Sequence, residues 1–187
     1  MKVKLPHPTT VRRLSSSYAV SPALEQQNYC FLSYARTILN VMKEHEQTAP
    51  LMMDEIHIQA YFDYKGGCVT GTAANSLSPA KTAHVYMLQS LLSNHKDVVH
   101  ILHAAQIDTK ARHEFLGKLI TDMEVTGFRV VAVVSVNNSI NRTAMKYLAN
   151  PPHAIIVYPH PVDPSRPLIY ILDPIDVFKS VRNIWFK

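Results

Sequence analysis

Polar and apolar positions repeat with different periods along this chain, and each change of period marks an element. Leu24, Phe31, Ala35, Ile38 and Met42 recur at spacings of three, four or seven, with Leu32 and Leu39 beside them. They predict an amphipathic helix that starts at Ser21-Pro22 and ends near Gln47, before Pro50. Its wide stripe suits packing on its own domain better than a dimer contact. Residues 51–60 (LMMDEIHIQA) read as a strand with acids in the middle. Gly66-Gly67 supplies a hairpin turn, and residues 68–74 return as a second strand. Residues 83–92 and 98–102 read as two more strands. Asp108-Thr109 caps the clearest helix, whose face is Ala111, Phe115, Leu116, Leu119, Ile120 and Met123, and Gly127 stops it. Residues 128–136 (FRVVAVVSV) are a β-branched run, the mark of a buried central strand. Asn137-Asn138-Ser139 turns into a short helix over 140–148, which Asn150-Pro151-Pro152 breaks. Strands over 154–158 and 168–172 flank a Pro-rich loop. Asp173 as N-cap and Pro174 at the first helical position open a last helix that runs to the end.

Antiparallel strands followed by a helix, strand, helix, strand, helix order predict an α/β fold. The expected architecture is a ribonuclease H-like mixed sheet flanked by helices, with an N-terminal helical extension. Residues 1–48 are expected to form a basic arm and amphipathic helix, and residues 49–187 the ribonuclease H-like domain. With 187 residues, 47% hydrophobic and 18% charged, the chain suits one globular domain and is not disordered as a whole. Two cysteines, Cys30 and Cys68, are too few for a disulfide framework. No apolar run approaches the ~20 residues that cross a bilayer. No apolar segment follows the basic N-terminus, so no secretory signal is read and cytosol or nucleus remains.

Charge changes the picture by its placement. The net charge is +5, and residues 1–43 hold six bases and one acid. Residues 44–128 hold six bases and ten acids, and residues 129–187 hold seven bases and three acids. Basic ends around an acidic middle fit a chain that meets a polyanion at its ends. A solvated basic surface is the competing reading, and composition alone favours it.

Candidate chemistry is sparse. Asp54 and Glu55 lie mid-strand, so they face opposite sides of a sheet and cannot share a site. One is expected to meet solvent and the other to lie over the sheet near its helices. A two-metal site needs a second carboxylate at the end of the 128–136 strand. That strand ends in Val136-Asn137-Asn138, and no acid occurs between Glu124 and Asp163. His100 and His103, or Glu55 and His57, lack cysteine partners at zinc spacing. There is no phosphate-binding GxxxxGK[ST] loop, Ser135 lacks a nucleophile-elbow context, and Cys68 reads as an ordinary strand cysteine.

The stretches LPHPTTVRRL, LMMDEIHIQAYFDYKGG, AHVYMLQSLLSNHKDVVHIL, GFRVVAVVSVNNSINR and LIYILDPIDVFKSVRNIW are ordered along nearly the whole chain. In them the chain resembles the P-element type of DNA transposase and its THAP-domain relatives. The resemblance implies a ribonuclease H-like catalytic domain that cuts and joins DNA with two Mg²⁺ ions held by Asp, Asp and Glu. The first family acid falls on Asp54, which is therefore the expected catalytic and metal-binding residue. Val136 occupies the second position. The third lies beyond a GTP-binding insertion outside this chain, so the family's GTP is not expected here. Mg²⁺ binding and strand transfer by this chain are accordingly expected to be lost, and the chain is expected to be a truncated, decayed or domesticated copy. DNA is the expected partner, through Arg12, Arg13, Lys179 and Arg182. A homo-oligomer or a related transposase is a possible further partner, and a membrane is not. The resemblance implies the nucleus. The alternatives are a nucleic-acid- or protein-binding module, or an inhibitory partner of an active transposase.

Overall fold

Alternation along Thr48–His57 (β1) sets the two faces of the sheet. Ala49, Leu51 and Met53 are buried, Pro50 and Met52 are half-buried, and Asp54 is exposed. The chain was analysed as a computed structural model, which describes residues 9–10, 35–65, 67–74 and 76–186. Among these, β1 is followed by β2 (Asp63–Lys65), β3 (Cys68–Thr70), β4 (Thr82–Gln89) and β5 (Lys96–Ala104). Then come α1 (Thr109–Thr126), β6 (Arg129–Ser135), α2 (Ser139–Lys146), β7 (Val157–Pro159), β8 (Pro167–Leu172) and α3 (Pro174–Trp185). β2 and β3 form a separate hairpin, and Gly67 in its turn has φ 86°, a left-handed value that suits glycine.

The main sheet has six strands in the order β5-β4-β1-β6-β8-β7. β1, β6 and β8 are mutually parallel, while β4, β5 and β7 run antiparallel to their neighbours. This is the expected mixed α/β sheet, with the β-branched run of β6 at its centre. The buried face of the sheet (Leu51, Met53, Tyr86, Leu88, Val130, Val133, Leu168) packs against Leu116, Leu119, Ile120 and Met123 of α1 and Met145 of α2. On the opposite face Met52, Val85, Met87 and Val134 are only half-buried, and Ile169 and Ile171 are exposed.

The caps follow the sequence. The Asp108 carboxylate accepts the Ala111 N–H at 2.8 Å, and Gly127, with φ 123°, closes α1. Asn138 caps α2 through the Asn141 N–H, and Asp173 caps α3 through the Ile175 N–H. The first long helix differs from expectation. Of the stretch 21–47, residues 21–34 lie outside the described residues. Residues 35–39 are helical, and Ala35 and Leu39 join the core. The helix then tightens, with Val41 N–H on Ile38 O and Met42 N–H on Leu39 O. It gives way to a 3-10 turn, Glu44–Gln47, instead of continuing to Gln47 as α-helix. Lys43 N–H donates to the Glu46 carboxylate and fixes this second turn. A capping signal inside the run thus overrides its apolar period.

Candidate functional site

The strand register brings the predicted positions together. Met53 pairs with Ser135 across β1 and β6, and Ser135 pairs with Leu172 across β6 and β8. One residue further on, Asp54 of β1 meets Val136 and Asp173, which lie just past the carboxyl ends of β6 and β8. Because side chains alternate, all three fall on the face away from α1. They line one pocket of about 360 Å³, together with Met52, Met87 and Lys96. In an open sheet, the carboxyl ends of parallel strands are where ligands usually bind.

The three positions are not equivalent chemically. Asp54 is exposed, and one of its oxygens accepts the N–H of Glu55 at 2.7 Å. Asp173 is half-buried; its carboxylate is committed to the Ile175 N–H at 2.9 Å, while its own N–H donates to Ser135 O at 2.8 Å. Between them stands the isopropyl group of Val136. Sequence reasoning saw in Asp173 a helix cap and missed its place beside Asp54. No sequence signal marked that place, because it depends on β8 pairing in parallel with β6.

The turn after Val136 is tightly built. Asn137 N–H donates to Asp176 of α3 at 2.9 Å, and Arg142 of α2 donates to both the side chain and the carbonyl of Asn137. The Asn141 amide reaches Val136 O at 3.4 Å. Ser135 is buried and shares a hydrogen bond of 2.8 Å with the Tyr170 hydroxyl, which gives it a structural role. These bonds fix the turn that follows Val136.

Glu55 turns the other way, toward the helices. It lies 3.6 Å from Nδ1 of His84. His84 Nδ1 accepts from Arg112 of α1 at 2.7 Å, which places the ring proton on Nε2, 3.1 Å from Thr82 Oγ1. Arg112 also donates to the Tyr86 hydroxyl at 2.8 Å. Burial, then the nearby Arg112 and His57, pull the His84 pKa down to about 4, so it is neutral at pH 7. A second polar cluster sits elsewhere on the fold and had no sequence signal. Glu124 at the end of α1 takes both Arg166 guanidinium nitrogens at 2.8 and 2.9 Å and the Val130 N–H at 2.7 Å. His160 is buried, with Nε2 3.3 Å from the same carboxylate. Burial raises the Glu124 pKa, but the Arg166 and Val130 hydrogen bonds outweigh it and the net shift is downward.

Of the other predicted residues, Arg12 and Arg13 lie outside the described residues. Lys179 and Arg182 are exposed on α3, away from the core. Arg182 donates to Asn183 Oδ1. His100 is buried between Tyr86 and Phe115, with ring centroids 6.3 and 4.9 Å away, a packing role.

The metal implied by the resemblance meets a poor donor set. Among the described residues no three His, Cys, Asp or Glu side chains gather to hold a metal ion. The row offers two carboxylates, one already bonded to its helix, with an apolar residue between them. These residues do not fit a two-metal centre, in which neighbouring carboxylates must share ions about 3.5–4 Å apart.

The model of the TNP-like, RNase H N-terminal domain family matches residues 27–149, and the chain belongs to that family. The expected likeness to P-element type transposases holds. In structure the chain matches the Drosophila P element transposase strand transfer complex with a TM-score of 0.65 and 18% identity. That match covers 96% of this chain and 37% of the solved one, so this chain spans little more than a third of that protein. The ribonuclease H-like mixed sheet is confirmed by it. The Mos1 strand transfer complex aligns at 12% identity, over 91% of this chain and 56% of its own, with a TM-score of only 0.29. No curated protein matches the chain in sequence. Among the described residues no helix is long and apolar enough to cross a membrane.

Proposed function

We propose that this chain is a transposase-derived, DNA-binding ribonuclease H-like domain that does not cut or join strands by itself, and that it acts in the nucleus. The observation that carries this reading is the row Asp54, Val136, Asp173. The position flanking Asp54, where the family's second acid stands, holds a side chain that cannot bind a cation. Even ~4 kcal/mol of lost transition-state stabilisation is about a thousandfold in rate. The intact turn behind Val136 supports a fold kept for binding. Lys179 and Arg182 on α3, with Arg12 and Arg13, supply phosphate contacts. The solved P element transposase complex is itself a strand transfer complex, which is consistent with a DNA partner.

The test pairs two assays on the purified chain. Duplex binding should weaken steeply between ~50 and ~200 mM salt, and Lys179→Ala with Arg182→Ala should lower the salt slope by about 2. Nicking in Mg²⁺ or Mn²⁺ should stay at background. Cleavage that disappears in Asp54→Ala overturns the reading, and so does salt-insensitive or absent DNA binding.

A second reading, assembly with another transposase subunit, is favoured by one observation. Ile175, Phe178, Val181, Ile184 and Trp185 of α3, with Phe186 after it, are 53–82% exposed. An apolar surface of that kind marks a protein contact. A chain that stays monomeric across a wide concentration range, alone and mixed with an active transposase, removes this reading.

A further inference from the structure

Beyond the strand-end row lies a second pocket, of about 330 Å³, between the β2–β3 hairpin and the end of β5. Its lining mixes an aromatic ring with hydrogen-bonding side chains: Tyr61, Gln59, Asp63, Thr70, Thr72 and His103. Asp63 and Thr70 are directly paired across the hairpin, so both side chains lie on its same face. Tyr64 and Val69 form the next pair and occupy the other face, where both are exposed. Tyr61 is 59% exposed. The side chains of Gln59, Tyr61 and Asp63 make no hydrogen bond or ion pair with another described residue, so their polar atoms are available to a ligand.

The walls are held by backbone. Ala80 N–H donates to Gly71 O at 2.8 Å, and Ile58 N–H donates to Lys81 O at 2.9 Å. Gly71 has φ +91°, and a Cβ there would sit 2.4 Å from Tyr61 O. Only glycine allows the strand after the hairpin to pass this close to the Tyr61 backbone. The pocket begins at Ile58, just past the end of β1 and four residues beyond Asp54, which at the rise of extended chain is about 13 Å away.

We propose that this pocket takes one unstacked nucleobase of a single DNA strand. The base would stack on the Tyr61 ring and present its edge to Gln59, Thr70 and Asp63. Stacking on an exposed aromatic is the sequence-tolerant way in which single strands are held. Asp63 adds selectivity, because an ionised carboxylate only accepts hydrogen bonds. It favours cytosine, adenine and guanine, which carry exocyclic amino groups, over thymine, which carries none. The proposal rests on the DNA-binding reading above and names the part of the DNA that reaches this face.

The test measures anisotropy of labelled oligo-dC, oligo-dT and a duplex with the full chain, at low salt. Oligo-dC should bind several-fold tighter than oligo-dT. Tyr61→Ala should weaken single-strand binding about tenfold, and Tyr61→Phe should restore it, with duplex binding unchanged. Asp63→Asn should erase the preference for dC over dT. Melting curves of the three variants confirm that each is folded. If single strands bind but none of these variants matters, the pocket assignment is overturned and the DNA-binding reading survives. The same holds if only the duplex binds. If neither binds, both fall. Free cytidine monophosphate serves as a further arm. Should it bind with Tyr61-dependence while oligo-dC does not, the strand is overturned as the source of the base.

Discussion

Replacing Val136 with aspartate should cost stability, and Mg²⁺ should return it. The new carboxylate would stand between Asp54 and Asp173 on adjacent parallel strands, which are ~4.8 Å apart. Two like charges about 5 Å apart repel by ~0.8 kcal/mol in a water-like medium and by ~3 kcal/mol at an effective dielectric of about 20. Asp54 is exposed and Asp173 half-buried, so the lower end applies, at about 1 kcal/mol per neighbour and about 2 kcal/mol together. Val136→Asn has nearly the same shape without the charge. The Asp variant should therefore melt below the Asn variant by about 4–8 °C, given ~2–4 °C per kcal/mol for a chain of this size. A divalent cation at ~100 times its Kd contributes ~2.7 kcal/mol and should close that gap, while leaving the wild-type and Asn proteins nearly unmoved. The assay is thermal denaturation of the three proteins with EDTA or with Mg²⁺. Equal melting of the Asp and Asn variants in EDTA refutes the claim that the three positions form one row. So does a Mg²⁺ response as large in wild type as in the Asp variant.

Two further predictions concern what holds the fold. Arg166→Ala strips the half-exposed partner from a carboxylate whose side chain is 11% exposed, and should cost about 2–3 kcal/mol by urea denaturation. A loss below about 1 kcal/mol would show that Glu124 is held by Val130 and His160 alone. Acid should destabilise the chain before its surface carboxylates titrate. Burial first, then neighbouring cations, depress His84 and His100 to about 4 from an ordinary 6.5. The unfolded chain binds those protons sooner, so stability is lost as pH falls from about 6.5 toward 4, by up to roughly 3 kcal/mol per histidine. Glu124, with its pKa lowered, adds a loss of the same sign below about 4.5. A urea midpoint that is flat between about pH 4 and 6.5 in wild type would contradict this, and His84→Gln should make the slope shallower without abolishing it, because His100, His103 and His160 are shifted in the same direction.

Local chemistry was legible in the sequence because it is local. The Asp108, Asn138 and Asp173 caps, the Gly67 turn and the Gly127 stop were each written within a few residues. The apolar run around Asp54 and the β-branched run through Val136 were enough to mark two strands, the second of them central. The early end of the 35–39 helix was less visible, because the apolar spacing of Ile38 and Met42 outlasts the helix that uses it. Sequence alone did not place Asp173 beside Asp54, because the 118 intervening positions carry no record of which strands lie side by side. That adjacency follows from the order β1-β6-β8 and its register. The same holds for Arg112 under Tyr86, for Glu124 bridging α1 to Arg166, and for the pocket that Gly71 shapes against Tyr61. Residue type and short-range spacing determine which elements form and which groups they carry. Which groups meet is decided by strand order and register, since a shift of one residue would send every side chain on a strand to the opposite face.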